Sequence, residues 1–314
     1  MYYPYLRGRQ NELLGLQELV DAGKLGQKVV PVIEPVKFSS TFINTLRKFV
    51  EKGYPLILIK NPRVGKFDQE YREAQEKHEG NPQLMEQYKT ILRSEYIKDA
   101  FLTTREVYEK VINGEMDNSE NIYLINTEKG DYRYYEEHGD AINVRASFIP
   151  GGDPDFKDEV EGDCIWLDDT YKKKKRNVDY IEVPDEFFSK SHLKFEKRGY
   201  QGFSDYSIVG NEYEESGFAP VAVAIHIVYF TDRKALNVHH FVSDTNLNFK
   251  DPAGKFAEAM AKLMDWEGLE AIRGTKGIEG LISYYEKEKF PGLGVIKKFS
   301  IMHHLELMGK YLGE

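Results

Sequence analysis

A chain of 314 residues, 41% hydrophobic and 30% charged with 21 Tyr and 18 Phe, is long enough for one large α/β barrel or two ordinary domains, and its composition is that of a folded protein. A formal charge of −9 argues against a surface built to coat nucleic acid, and one cysteine, Cys164, excludes an intramolecular disulfide and a Cys-rich zinc module, as expected of a cytoplasmic protein. The first ten residues carry no apolar core of a secretory signal, and the longest apolar run, 218–230, contains His226 and is shorter than the roughly 20 residues that span a bilayer, so no membrane association is expected.

Residues 2–7 read as a short strand, and 10–25 as a helix with Leu13, Leu14, Leu16, Leu19 and Val20 on one face. Residues 29–36 are a second strand. Ser39 or Ser40 is positioned to cap the next helix, whose apolar stripe is Phe42, Ile43, Leu46, Phe49 and Val50, and Gly53 to end it. The run 55–60, PLILIK, is apolar enough for a strand covered on both faces, as in a parallel sheet. Residues 67–96 turn highly charged around a Gly80-Asn81-Pro82 break and are expected to form a helical excursion projecting from the body. Further strands are expected at 100–103, 121–127, 142–149, 164–167 and 202–209, with helices at 105–112 and 185–197 and a polar helical or turn segment at 131–138.

Eight strands with mostly helical connections give an α/β fold of the (β/α)8, TIM-barrel-like class over residues 1–210. From 211 to 314 the pattern changes to an appended α+β region. Two extended runs, 220–230 and 235–242, flank a turn-like 231–234 and predict a β-hairpin, and helices follow at 253–266, 269–273, 278–287 and 294–312.

In such a barrel the strands' C-terminal ends converge on one mouth, where barrel enzymes keep their sites. Glu34, Asp168 and Asp205 are therefore candidates for acid–base catalysis or for holding a divalent cation such as Mg or Mn, with Lys60 as a further catalytic candidate. Arg7, Arg9, Lys37, Asn126 and Arg145 are candidates for binding an anionic small molecule or nucleic acid. Thr103, Asn61, Asp169 and Ser207 are expected at the same rim. The basic run 172–176 follows the seventh strand and reads first as solvated surface, second as a patch steering an anion. His239-His240 and His303-His304 are adjacent pairs, which point to opposite faces of a strand and suit a shared metal poorly. Cys164 reads as buried filler, and Asp153, Asp155 and Asp158 lack the spacing of a calcium loop. No Walker loop, G-x-G-x-x-G, G-x-S-x-G or H-E-x-x-H occurs.

The string Tyr3-Pro4-Tyr5-Leu6-Arg7-Gly8-Arg9-Gln10 with Glu12, then Pro31-Val32-Ile33-Glu34-Pro35, and later Asp205-Tyr206 within GFSDYS, resembles the bacterial and phage beta family proteins. The resemblance spans about the first two thirds of the chain and implies a barrel-like fold and an association with mobile elements or phage defence. With the charged mouth, it leads to the expectation of a hydrolase or phosphodiesterase acting on a phosphate-bearing substrate. The alternative is a non-catalytic scaffold in an antiphage complex, binding a protein partner or further copies of itself through residues 67–96 or the C-terminal helices.

Overall fold

The computed structural model describes residues 1–76, 82–116, 121–137, 144–215 and 220–313. Gly80 and Asn81 of the expected break, Ile142 and Asn143 of the expected sixth strand, and His138 and Phe218 lie outside them. The chain divides into two compact units, one formed by Met1–Leu13, Lys28–Asp169 and Ser191–Tyr206, the other by Leu14–Gln27, Thr170–Lys190 and Ser207–Glu314.

The first unit is the barrel. Its strands are β1 (Tyr5–Leu6), β2 (Val32–Ile33), β3 (Leu56–Ile59), β4 (Ile97–Leu102), β5 (Tyr123–Ile125), β6 (Ala146–Pro150), β7 (Cys164–Asp168) and β9 (Gly202–Asp205), each parallel to the next in that order. A parallel bridge between Tyr2 and Phe203, with the Tyr3 amide donating to the Phe203 carbonyl at 2.8 Å, returns the last strand to the first. Eight parallel strands with helical connections thus form the expected nearly closed α/β barrel.

Alternation along each strand divides the side chains. Tyr3, Tyr5, Val32, Ile57, Ile59, Ala100, Leu102, Ile125, Phe148, Ile165, Leu167 and Tyr206 pack together as the interior. The opposite parity, exemplified by Trp166 and Phe203, faces the surrounding layer. All four residues of β3 are buried, which is why that segment is apolar without interruption.

Helix α1 (Gln10–Asp21) follows β1. Helix α2 (Ser40–Lys52) is capped by Ser39, whose side chain accepts from the Phe42 amide, and it ends at Gly53 in the left-handed conformation. The charged stretch forms two helices, α3 (Phe67–Glu76) and α4 (Pro82–Ile91). It does not simply project: Phe67, Tyr71 and Tyr88 meet Phe38 and Phe42 in edge-to-face and tilted contacts at 5.4–6.0 Å, an aromatic seam that fastens the excursion to α2. The short helices α5 (Arg105–Ile112), α6 (Arg133–Glu136), α7 (Pro154–Asp158) and α8 (Ser191–Lys194) complete this unit. Asp153 caps α7 and pairs with Lys129 at 2.8 Å, so the acidic loop is occupied with local structure.

The second unit is built on a three-stranded antiparallel sheet. The expected hairpin is present as β10 (Ala224–Phe230) and β11 (Leu236–Val242), and β8 (Asp185–Ser189) adds to the outer side of β11. The sequence suggested a helix at 185–197; its first part is instead this strand, because backbone pairing with β11, some 50 residues further on, outweighs local preference. Four helices follow: α9 (Pro252–Met264), α10 (Leu269–Ile272), α11 (Lys276–Glu286) and α12 (Leu293–Gly313). A Cβ on Gly277 would lie 2.1 Å from the Phe299 carbonyl, and one on Gly309 2.5 Å from that of Leu25, so α12 meets both α11 and the 14–27 segment backbone to backbone. Neither His303 nor His304 is idle. His303 accepts from Thr275 through Nδ1 at 2.8 Å and donates from Nε2 to the Val228 carbonyl at 2.7 Å, while His304 pairs with the Ser207 hydroxyl at 2.9 Å. No described helix is long and apolar enough to cross a membrane.

Candidate functional site

Three chain segments build the mouth of the barrel around Glu34. Parity places Glu34 inward, continuing Val30 and Val32. Its side chain is fully buried yet fully engaged: Tyr5 donates its hydroxyl to Oε2 at 2.7 Å, Arg7 pairs with the same oxygen, and the Arg63 amide donates to Oε1 at 2.8 Å. A carboxylate taken from water needs this many donors to stay ionised. The Arg7 guanidinium lies over the Tyr5 ring at 5.0 Å and the Tyr206 ring at 5.5 Å. Burial raises the phenols of Tyr5 and Tyr206 above their ordinary range, and the neighbouring carboxylates add to this, Glu34 for Tyr5 and both Asp169 and Glu34 for Tyr206. Both phenols are therefore neutral donors.

Two glycines allow this convergence. Gly8 (φ +61°) turns the chain between Arg7 and Arg9 where a Cβ would press on Ile33 and the Glu34 carbonyl at 3.1–3.2 Å. Gly65 (φ +76°) brings the 61–66 loop so close to Val36 that a Cβ would lie 2.4 Å from its carbonyl oxygen, and Lys66 donates its amide to that same oxygen at 2.8 Å. That loop presents the Arg63 amide to Glu34. Asn61 anchors its start by bonding both the amide and the carbonyl of Leu102, and the Arg63 side chain reaches the Thr103 carbonyl.

The remaining candidates are distributed differently from expectation. Asp168 and Asp205 are direct register partners on β7 and β9, but both take the outward parity, away from Glu34. Asp205 accepts from Tyr2 at 2.8 Å, whose ring stacks on Phe203, and Asp168 accepts from Ser191 of α8 at 3.2 Å. Burial raises Asp168 above the ordinary carboxylate range; the Ser191 hydrogen bond opposes the shift and the Asp205 charge adds to it. Glu34, Asp168 and Asp205 thus do not form one ligand set, and no group of three or more metal-binding side chains occurs among the described residues. Asp169, the next residue, has the inward parity.

Lys60 also points outward and pairs with Asp99 at 3.2 Å. Asn126 is buried in the outer layer, where its amide donates to Tyr135 and to the Phe148 carbonyl, and Tyr135 also bonds Ser147. Arg145 precedes β6 rather than ending it, so it sits at the opposite rim, 3.6 Å from Asp163. Lys37 follows β2 and is exposed, and Arg9 is partly buried at the start of α1. Cys164 is buried and its thiol is pushed up to about 11 by burial, which suits a packing residue.

Sequence reasoning missed Tyr5, Tyr206 and Arg63 as partners of the central pair. Strict alternation from Tyr3 through Tyr5 to Arg7, and from Val30 through Val32 to Glu34, was the available signal for the first. A comparison with protein-family models, curated proteins and solved structures finds no match for this chain.

Proposed function

We propose that the barrel is a hydrolase of the phosphodiesterase type, acting on a phosphate-bearing substrate at the mouth around Arg7 and Glu34. The observation that carries this reading is a completely buried carboxylate held against an arginine at the C-terminal end of parallel strands, the face where barrels place chemistry. The Arg7 side chain keeps 12% of its surface exposed, which is where an incoming anion would meet it. A phosphate that engages Arg7 competes with Glu34 for it. The Tyr5 hydroxyl on Oε2 and the Arg63 amide on Oε1 keep Glu34 in place, and the lone pair of Oε2 that Arg7 gives up accepts a proton from water. Tyr206, neutral and beside Arg7, is placed to donate to a leaving oxygen. The phage-defence setting rests on the N-terminal resemblance alone.

The saturation of Glu34 equally favours a second reading, in which the pair is a structural staple and the chain a scaffold for a defence partner or for further copies of itself. Hydrolysis of bis(p-nitrophenyl) phosphate and short oligonucleotides by wild type and Glu34→Gln separates the two. The enzyme reading expects a loss in kcat of about 10²- to 10⁴-fold in a variant that keeps its circular dichroism. Equal turnover by a folded variant, or no turnover by wild type on any of these substrates, leaves the scaffold.

A further inference from the structure

The largest cavity described in the second unit, about 690 Å³, is bordered by the basic run 172–176 and floored by His226. Its volume is within the range of small-molecule sites. Of the five cations in the run, three are committed: Lys172 to Glu186, Lys173 to Glu212 and Glu214, and Arg176 to Asp179. Lys174 and Lys175 line the cavity and pair with no described carboxylate. The 244–251 segment contributes Phe249, 63% exposed, to the same rim. An exposed aromatic and two ammonium groups thus border one cavity.

The floor supplies a third feature, which follows from proton bookkeeping. His226 and His240 are register partners across the hairpin, their Nδ1 atoms 2.8 Å apart, and His240 Nε2 lies 3.3 Å from Glu186 Oε1. Burial holds both imidazoles below their ordinary range, so both are neutral. The Glu186 carboxylate can only accept, hence His240 donates from Nε2 and accepts at Nδ1. His226 must then donate from Nδ1, which leaves its Nε2 as a hydrogen-bond acceptor. Tyr180 packs at a tilt against both rings, with centroids 4.7 and 4.4 Å away.

Two lysines, an exposed aromatic face and a half-buried acceptor together describe a ligand with phosphate, an aromatic base and a hydroxyl. We propose that this cavity binds a nucleotide, with its phosphates on Lys174 and Lys175, its base on Phe249 and a sugar hydroxyl donating to His226 Nε2. This proposal does not rest on the hydrolase reading.

Calorimetric titration of the full chain with ADP, adenosine and inorganic phosphate tests it. The expected result is one saturable ADP site, with adenosine and phosphate each weaker by about tenfold or more, since each engages only part of the surface. The double variant Lys174→Ala, Lys175→Ala and the single variant Phe249→Ala should each weaken ADP by about tenfold, the latter as the loss of one base stack. Glu34→Gln should bind ADP as wild type does, whether or not it retains hydrolysis. Absence of saturable ADP binding, phosphate binding as tightly as ADP, or ADP binding that survives the lysine and Phe249 changes but is lost in Glu34→Gln would each overturn the proposal.

Discussion

The barrel mouth and the histidine cavity of the second unit handle buried polarity in opposite ways. At the mouth a buried carboxyl group is surrounded by donors, with Arg7, Tyr5 and the Arg63 amide all bonded to Glu34. In the cavity the buried groups are kept neutral by desolvation, and the charges stand at the rim. In the first arrangement the residues proposed for function are the ones that hold the fold together. The second separates them, because the rim can change without disturbing the floor.

That contrast breaks most visibly at Arg7. Arg7→Met leaves Glu34 buried without its cation and should cost about 3–5 kcal/mol in urea unfolding, whereas Arg7→Met combined with Glu34→Leu should recover most of the loss. A double variant as unstable as the single one would show that packing, not the charge, is what Arg7 contributes.

Next in size is the acid response of the second unit. Burial lowers His303 to about 4, below the unfolded value of 6.5, so the unfolded chain binds more protons between these limits. Stability should therefore be fully present above pH 6.5 and fall by about 3 kcal/mol on acidification to pH 4, where the contribution is exhausted. His303→Gln should flatten that portion of the pH–stability curve, and an unchanged slope would assign the acid response to other groups.

Smaller still is Gly65→Ala, which places a Cβ on a left-handed residue against the Val36 carbonyl and should cost about 1–3 kcal/mol in thermal melts. Because it displaces the amide that holds Glu34, the hydrolysis proposed for the mouth should decline more than stability does. At the lower end, Phe249→Ala and Lys175→Ala should move stability by no more than about 0.5 kcal/mol, as exposed positions do. A large loss there would mean that the rim, like the mouth, belongs to the fold.

How far these sites could be read from the chain follows from one property of strands. The β-α rhythm, the capped helix at Ser39 and the hairpin were legible because each is signalled within a dozen residues. Site membership was not, since a shift of one residue turns a side chain to the other face. Asp168 was favoured, but Asp169 has the inward parity; Arg145 was placed inside a strand that begins one residue later. The inward placement of Glu34 was legible because a proline-bounded strand left little latitude in register. The His226–His240 pair was countable outward from the 231–235 turn, where Phe230 opposes Leu236, but examining only neighbours in sequence concealed it. Strand β8 carried no comparable cue, its Asp185 and Glu186 being ordinary helix-start residues until β11 supplies His239 and His240 as their partners.

The path of β8 has a practical result for anyone dissecting the protein. This strand lies in the chain between two staves of the barrel, yet its backbone partner is β11. Severing the polypeptide after Gly210 would give an N-terminal fragment carrying an orphaned edge with Phe188 uncovered, and a C-terminal fragment with one margin of its sheet missing. Such halves should precipitate when produced separately and gain solubility when co-expressed, so deletion mapping would mistake a broken weave for a lost activity.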